Sequence, residues 1–200
     1  MRLYYSPASP FARKVLVLMH ETGQLDDIDL VFATGSPLDS SQMPTAQNPL
    51  GKLPALERSD GPALYDSRVI CRYLDDRIQA GLYSQDLLWE ILTLEATADG
   101  MMDAAVLIVY EARCRPENMQ SDDWMNGQWE KISRTLDAIN TRWISHLAGP
   151  LDMGQIALGC ALGYLDFRHS DRNWRKGRDE LDDWFASFAQ RKSMLATVPE

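Results

Sequence analysis

The pattern of apolar and polar positions changes near residue 80. Before it, short apolar runs alternate with turn residues, and residues 3–5, 28–32, 53–56 and 63–65 predict four strands. Between the first two, Val15, Leu16, Leu18 and Met19 recur at helical spacing over residues 11–21, with Thr22-Gly23 as the stop. A strand-helix-strand opening predicts parallel pairing, because the intervening helix carries the chain back to the starting end of the sheet. The Asp60-Gly61 step between the third and fourth runs predicts a hairpin, hence antiparallel pairing. A helix is expected over residues 67–80, with Val69, Ile70, Tyr73, Leu74 and Ile78 on its apolar face and Gly81 ending it.

From residue 84 onward helical periods take over. Met125, Trp129, Ile132, Leu136, Ile139, Trp143 and Leu147 recur at steps of three and four, a stripe that packs against a neighbour. Residues 156–167 are apolar on all sides except for Asp166, which predicts a helix at a domain centre. Asp152-Met153-Gly154-Gln155 opens it as a capping box, and Gly159 and Gly163 would let another backbone come close. The expected organisation is a mixed α/β domain over residues 1–80 and an all-helical domain over residues 85–200, without internal repeats.

Composition narrows the class. With 200 residues, 45% hydrophobic and 24% charged, the chain can bury a core and does not have a disordered composition. The apolar stretches at 104–110 and 156–165 are shorter than the roughly 20 residues of a membrane span. The first residues lack the apolar region of a secretory signal, so a cytoplasmic location is expected. A net charge of −9 argues against nucleic acid as a partner. The basic residues between Arg168 and Arg178 are expected to be a solvated turn. Cys71, Cys114 and Cys160 have neither disulfide nor zinc spacing, and His20, His146 and His169 are scattered, so no metal site is expected.

Three short segments carry candidate chemistry. Ser9-Pro10 follows the first strand and places Ser at the N-cap and Pro at the first position of the first helix. A capping serine accepts with its oxygen and keeps its proton to donate, which with the helix N-terminus makes a small anion site. Taken alone, such a serine is more often an ordinary cap. Leu53-Pro54 opens the third strand; a cis bond there would turn the Leu53 N–H and C=O outward toward a peptide-like ligand. Asp66-Ser67 opens the next helix, offering an acceptor for an ammonium and donors for a carboxylate, and is equally readable as a cap.

In order and spacing, Ser9-Pro10-Phe11 with Arg13-Lys14-Val15, then Asn48-Pro49-Leu50-Gly51-Lys52-Leu53-Pro54-Ala55-Leu56, then Leu64-Tyr65-Asp66-Ser67 with Ile70 and Tyr73-Leu74, resemble the N-terminal domain of glutathione S-transferases. Residues 152–167 resemble the central buried helix of that family's C-terminal domain. The resemblance implies a thioredoxin-like domain joined to a helical bundle, usually as a homodimer. It implies that Ser9 donates to the glutathione sulfur, that the bond before Pro54 is cis, and that the Leu53 backbone pairs with the cysteinyl part. Asp66 and Ser67 would hold the γ-glutamyl end and Lys52 the glycine carboxylate, with Phe11 completing the first motif. Tyr4, Tyr5 and Ser6 are rivals for the activating role, and Asp152-x-x-Gln155 departs from the family's Ser/Thr-x-x-Asp box.

The implied chemistry is thiol activation. A thiol of pKa about 8.5 is only a few per cent thiolate at pH 7, and the thiolate is the nucleophile. A small hydrophobic electrophile is expected in a pocket between the domains, near Met101, Met102, Ala105 and Tyr110. The alternatives are a non-catalytic binding or stress-response module of the same fold, and a glutathione-dependent isomerase or peroxidase.

Overall fold

In the computed structural model, which describes all 200 residues, the first strand, β1 (Arg2–Tyr5), lies at the centre of a three-stranded sheet. It pairs in parallel with β2 (Asp29–Phe32), Leu3 opposite Leu30, and antiparallel with β3 (Ala55–Glu57), Tyr4 opposite Ala55. The crossover between β1 and β2 is helix α1 (Pro10–Glu21), and α2 (Ser67–Ile78) follows β3. Leu3, Val15, Leu18, Leu56, Ile70 and Leu74 are wholly buried and form the core, whereas Val69 and Ile78, expected on the apolar face of α2, are 47% and 42% exposed and lie outside it.

The fourth strand is not formed as expected. A single antiparallel bridge joins Leu56 to Leu64, with both backbone hydrogen bonds at 2.8–2.9 Å. Gly61 and Pro62 follow Asp60, and Arg58 Nε donates to the Pro62 carbonyl at 3.0 Å, so the connection closes on its own side chain instead of extending the ladder. Helix α2 also ends earlier than Gly81. Gln79 takes the left-handed conformation (φ 54°), and the Asp75 carboxylate accepts the Leu82 N–H at 2.8 Å.

The chain forms two compact units, Met1–Leu88 with Lys192–Glu200, and Trp89–Arg191. The second is helical: α3 (Leu88–Cys114), α4 (Asp122–Arg142), the short α5 (Ile144–Leu147), α6 (Met153–Arg168) and α7 (Asp179–Phe188). No helix is long and apolar enough to cross a membrane. The last helix, α8 (Lys192–Ala196), belongs with the first unit and packs along α1.

Twelve of the sixteen residues of α6 are buried, as its all-round apolar pattern requires. Asp152 caps it, accepting the Gln155 N–H at 2.9 Å. The second half of the box is absent. The Gln155 side-chain amide instead donates toward the carbonyls of the preceding turn, the shortest to Pro150 at 3.0 Å, and so ties that turn to the start of the helix. Gly159 meets a ring, not a backbone: a Cβ there would stand 2.4 Å from Cε1 of Phe188.

The basic cluster after α6 is likewise not a solvated turn. Arg175 forks onto Asp166, with one bond of 2.8 Å, and reaches Asp182 at 2.7 Å. Arg178, 8% exposed, donates to Asp137 and Ser133, each at 2.8 Å, and to the Trp174 carbonyl at 2.6 Å. These forks pin the loop between α6 and α7 to the bundle.

Candidate functional site

Sheet polarity gathers the candidate residues of the first unit. Helix α1 begins beyond the C-terminal end of β1. Because β3 is antiparallel to β1 and pairs Ala55 with Tyr4, Leu53-Pro54 enters the sheet at that same end. The antiparallel bridge at Leu64 sends the chain back again, so Asp66 and the start of α2 arrive there too. Two helix N-termini and one non-helical backbone segment therefore face a common end of the sheet.

Ser9 is the N-cap of α1, in extended conformation (φ −87°, ψ 118°), with Pro10 at the first helical position. Its Oγ accepts from the Ala12 N–H at 3.2 Å, and its carbonyl accepts the first helical bond from the Arg13 N–H at 3.0 Å. Pro10 has no N–H to satisfy and has its φ preset for the helix, so the local sequence suffices to start α1 here. The half-buried Ser9 hydroxyl uses a lone pair for the cap and keeps its proton. Phe11, in the first turn, is half-buried.

Of the rivals, Tyr4 is engaged elsewhere: its hydroxyl donates to Glu57 Oε2 at 2.7 Å. That bond, with burial and the Glu57 charge, raises its pKa above the ordinary 10. Its proton is thus held by the neighbouring strand. Tyr5 and Ser6 are half-buried, and the Ser6 carbonyl accepts the Ser9 N–H at 3.0 Å, shaping the turn into the helix.

The Leu53–Pro54 bond is cis, and Pro54 is buried. The neighbouring turn is held by Asn48, whose Nδ2 donates to the Lys52 carbonyl at 2.8 Å and whose Oδ1 accepts the Leu50 N–H at 3.1 Å. Lys52 itself is exposed. Asp66 caps α2, accepting the Arg68 N–H at 3.0 Å, and Ser67 at the first helical position is buried. Burial resists ionisation of Asp66, but the Arg68 guanidinium, 3.0 Å away, its backbone N–H and the charge of Lys14 outweigh that and hold the carboxyl below its ordinary range. In the second unit, Met101, Met102 and Ala105 are buried and Tyr110 is half-buried, all on α3.

Comparison with known proteins bears on this arrangement. The family model for the glutathione S-transferase N-terminal domain matches residues 8–77, and that for the C-terminal domain matches residues 122–187. The chain belongs to the glutathione S-transferase family. The uncharacterized GST-like protein YibF of Escherichia coli (strain K12) is 32% identical over 204 residues, spanning 100% of this chain and 98% of that one. A glutathione transferase family member from Pseudomonas fluorescens Pf-5, solved with bound glutathione, is 45% identical, covers 100% of this chain and 98% of its own, and superposes with a TM-score of 0.96. Its structure with bound S-(propanoic acid)-glutathione gives a TM-score of 0.92, with both chains covered at 100%.

Two residues acquire a structural place that the sequence pattern did not give them. Lys14 has helical spacing with the apolar core positions of α1 and is wholly buried, and its charge acts on Asp66. Arg13, also buried, reaches chain atoms more than 180 residues away. Both stand in the quoted Arg-Lys pair, and charged residues within an apolar helical period are the signal that marks them.

Proposed function

We propose that the protein is a glutathione transferase that binds glutathione at the shared sheet end and activates its thiol through Ser9. The observation that carries this reading is the Ser9 cap, an acceptor to the Ala12 N–H whose own proton is available to a sulfur beyond the helix N-terminus. Such a donor favours the thiolate without becoming the nucleophile. One charge-assisted hydrogen bond of about 1.5–3 kcal/mol supplies a thiol shift of about one to two units, at roughly 1.4 kcal/mol per unit.

The other residues have complementary roles. The Leu53 N–H and C=O pair with the cysteinyl backbone, Asp66 accepts from the γ-glutamyl ammonium, and Ser67 with the α2 N-terminus donates to its carboxylate. Lys52 answers the glycine carboxylate, and Phe11 shapes the first turn of the site. The electrophile is a small hydrophobic molecule, with Met101, Met102, Ala105 and Tyr110 as its candidate contacts. The glutathione thioether held by the P. fluorescens relative favours conjugation over isomerase or peroxidase chemistry. The enzyme would act in the cytoplasm as a homodimer, a state that a monomeric mass by light scattering refutes.

Ultraviolet titration of bound glutathione tests the activation. The wild-type complex is expected to titrate about one to two units below the free thiol, and Ser9→Ala to return it most of the way. Retention of Ser9→Ala on immobilised glutathione should persist. A wild-type complex that titrates like glutathione in buffer overturns the proposal, and unchanged turnover in Ser9→Ala removes Ser9 from it.

A further inference from the structure

The C-terminal segment Lys192–Glu200 runs along α1 and is bonded to both ends of it. Near the start of α1, Arg13 is 6% exposed; its Nη2 donates to the Met194 carbonyl at 3.0 Å and its Nε to Thr197 Oγ1 at 3.3 Å. The Thr197 hydroxyl donates in turn to the Ser193 carbonyl at 2.8 Å. The Ser193 hydroxyl then donates to Glu21, the last residue of α1. A continuous chain of hydrogen bonds, Arg13 to Thr197 to Ser193 to Glu21, therefore spans the helix from its first turn to its last.

Arg13 is also the residue whose N–H closes the first helical bond onto the Ser9 carbonyl at 3.0 Å. A guanidinium near a helix N-terminus opposes the macrodipole, and burial removes its water. It is tolerated here because the carbonyl end of α8 and the Thr197 oxygen accept its protons. Holding the Arg13 side chain thus holds the turn that aims the Ser9 hydroxyl.

We infer that Arg13 is a positioning residue and that the C-terminal segment is a strap that fixes the Ser9 cap for thiol activation, an inference resting on the function proposed above. It follows that residues at the far end of the chain influence sulfur chemistry they do not touch.

Two variants test it in the full-length chain: Thr197→Val, which removes the bridging hydroxyl at nearly constant volume, and Arg13→Gln. Ultraviolet titration of bound glutathione should place the thiol pKa about half a unit to one unit higher in Arg13→Gln than in wild type, a threefold to tenfold loss of thiolate below that pKa. Thr197→Val should show about a twofold loss in the same direction. With a chlorinated nitrobenzene as electrophile, kcat should fall in parallel while the KM for glutathione moves by less than about twofold, since the groups that bind the tripeptide are untouched. A merely structural strap would lower the melting temperature and leave the bound thiol where it was. If Arg13→Gln does not fold, Thr197→Val alone decides. A wild-type thiol that is not acidified overturns the proposed activation and this inference together. A wild-type thiol that is acidified, and stays equally so in every variant that folds, overturns the strap's role alone.

Discussion

Helices α1 and α6 begin with the same local device and use it differently. In each, a side-chain oxygen accepts the backbone N–H three residues on: Ser9 from Ala12 at 3.2 Å, Asp152 from Gln155 at 2.9 Å. Ser9 is half-buried at a sheet end where a second helix also starts, and it keeps a proton. Asp152 is 6% exposed, has no proton to offer when ionised, and lies 2.7 Å from the His146 ring nitrogen. A cap is therefore no indication of a site by itself. What matters is whether the capping group retains a donor and whether the helix end is open to a ligand.

Exchanging the two caps should have the largest effect. Ser9→Asp keeps a good cap, so its melting temperature should stay within a few degrees of wild type. Turnover should nevertheless fall by more than about a hundredfold, because a carboxylate offers no proton and repels a thiolate. A Ser9→Asp protein that still turns over would show that the cap is structural in both helices. In the other direction, Asp152→Ala should cost about 2 kcal/mol of stability, the cap together with a polar ring left facing an emptied position. Asp152→Ser should recover most of that in denaturant titration, and neither variant should shift the titration of bound glutathione.

Smaller effects sharpen the contrast by probing α6 as a packing element. Gly159→Ala drives a methyl into the Phe188 ring and should destabilise by about 1–3 kcal/mol in denaturant titration, with the bound thiol unchanged. His169 packs beside α6, its Nε2 3.0 Å from the Ala105 carbonyl, and burial lowers its pKa below the ordinary 6.5 despite that hydrogen bond. The unfolded chain thus takes up the proton first. The contribution of neutral His169 is complete above about pH 6.5 and declines as pH falls below it toward the folded value. His169→Gln should flatten the fall in melting temperature between about pH 7 and 5, and an unchanged slope would show that other groups set it.

Much of the site was legible because it is built from neighbours. Ser9-Pro10, Asp66-Ser67 and Asp152 each act on an N–H two or three residues away, so their capping follows from spacing, while the ligand roles of Ser9, Asp66 and Ser67 are implied by the family resemblance. The limits of legibility appear where two local rules competed. The Asp60-Gly61 hairpin signal was sound, yet Arg58 satisfied the Pro62 carbonyl and the fourth strand shrank to one bridge. Gln155 had the residue type for a capping box, yet the carbonyls of the preceding turn claimed its amide.

Hydrophobic period and capping chemistry, which act over one helical turn or one strand, were enough to determine the mixed sheet, the helical second half and the residues that open α1, α2 and α6. Tertiary structure alone decided that Phe188 fills the space over Gly159, that the Tyr4 hydroxyl donates to Glu57, and that Arg13 finds its acceptors at Met194 and Thr197. The reason is physical. A contact across more than 180 residues exists only after the chain between has folded, so no local spacing can announce it, whereas the geometry of a single turn is present in any short stretch of backbone.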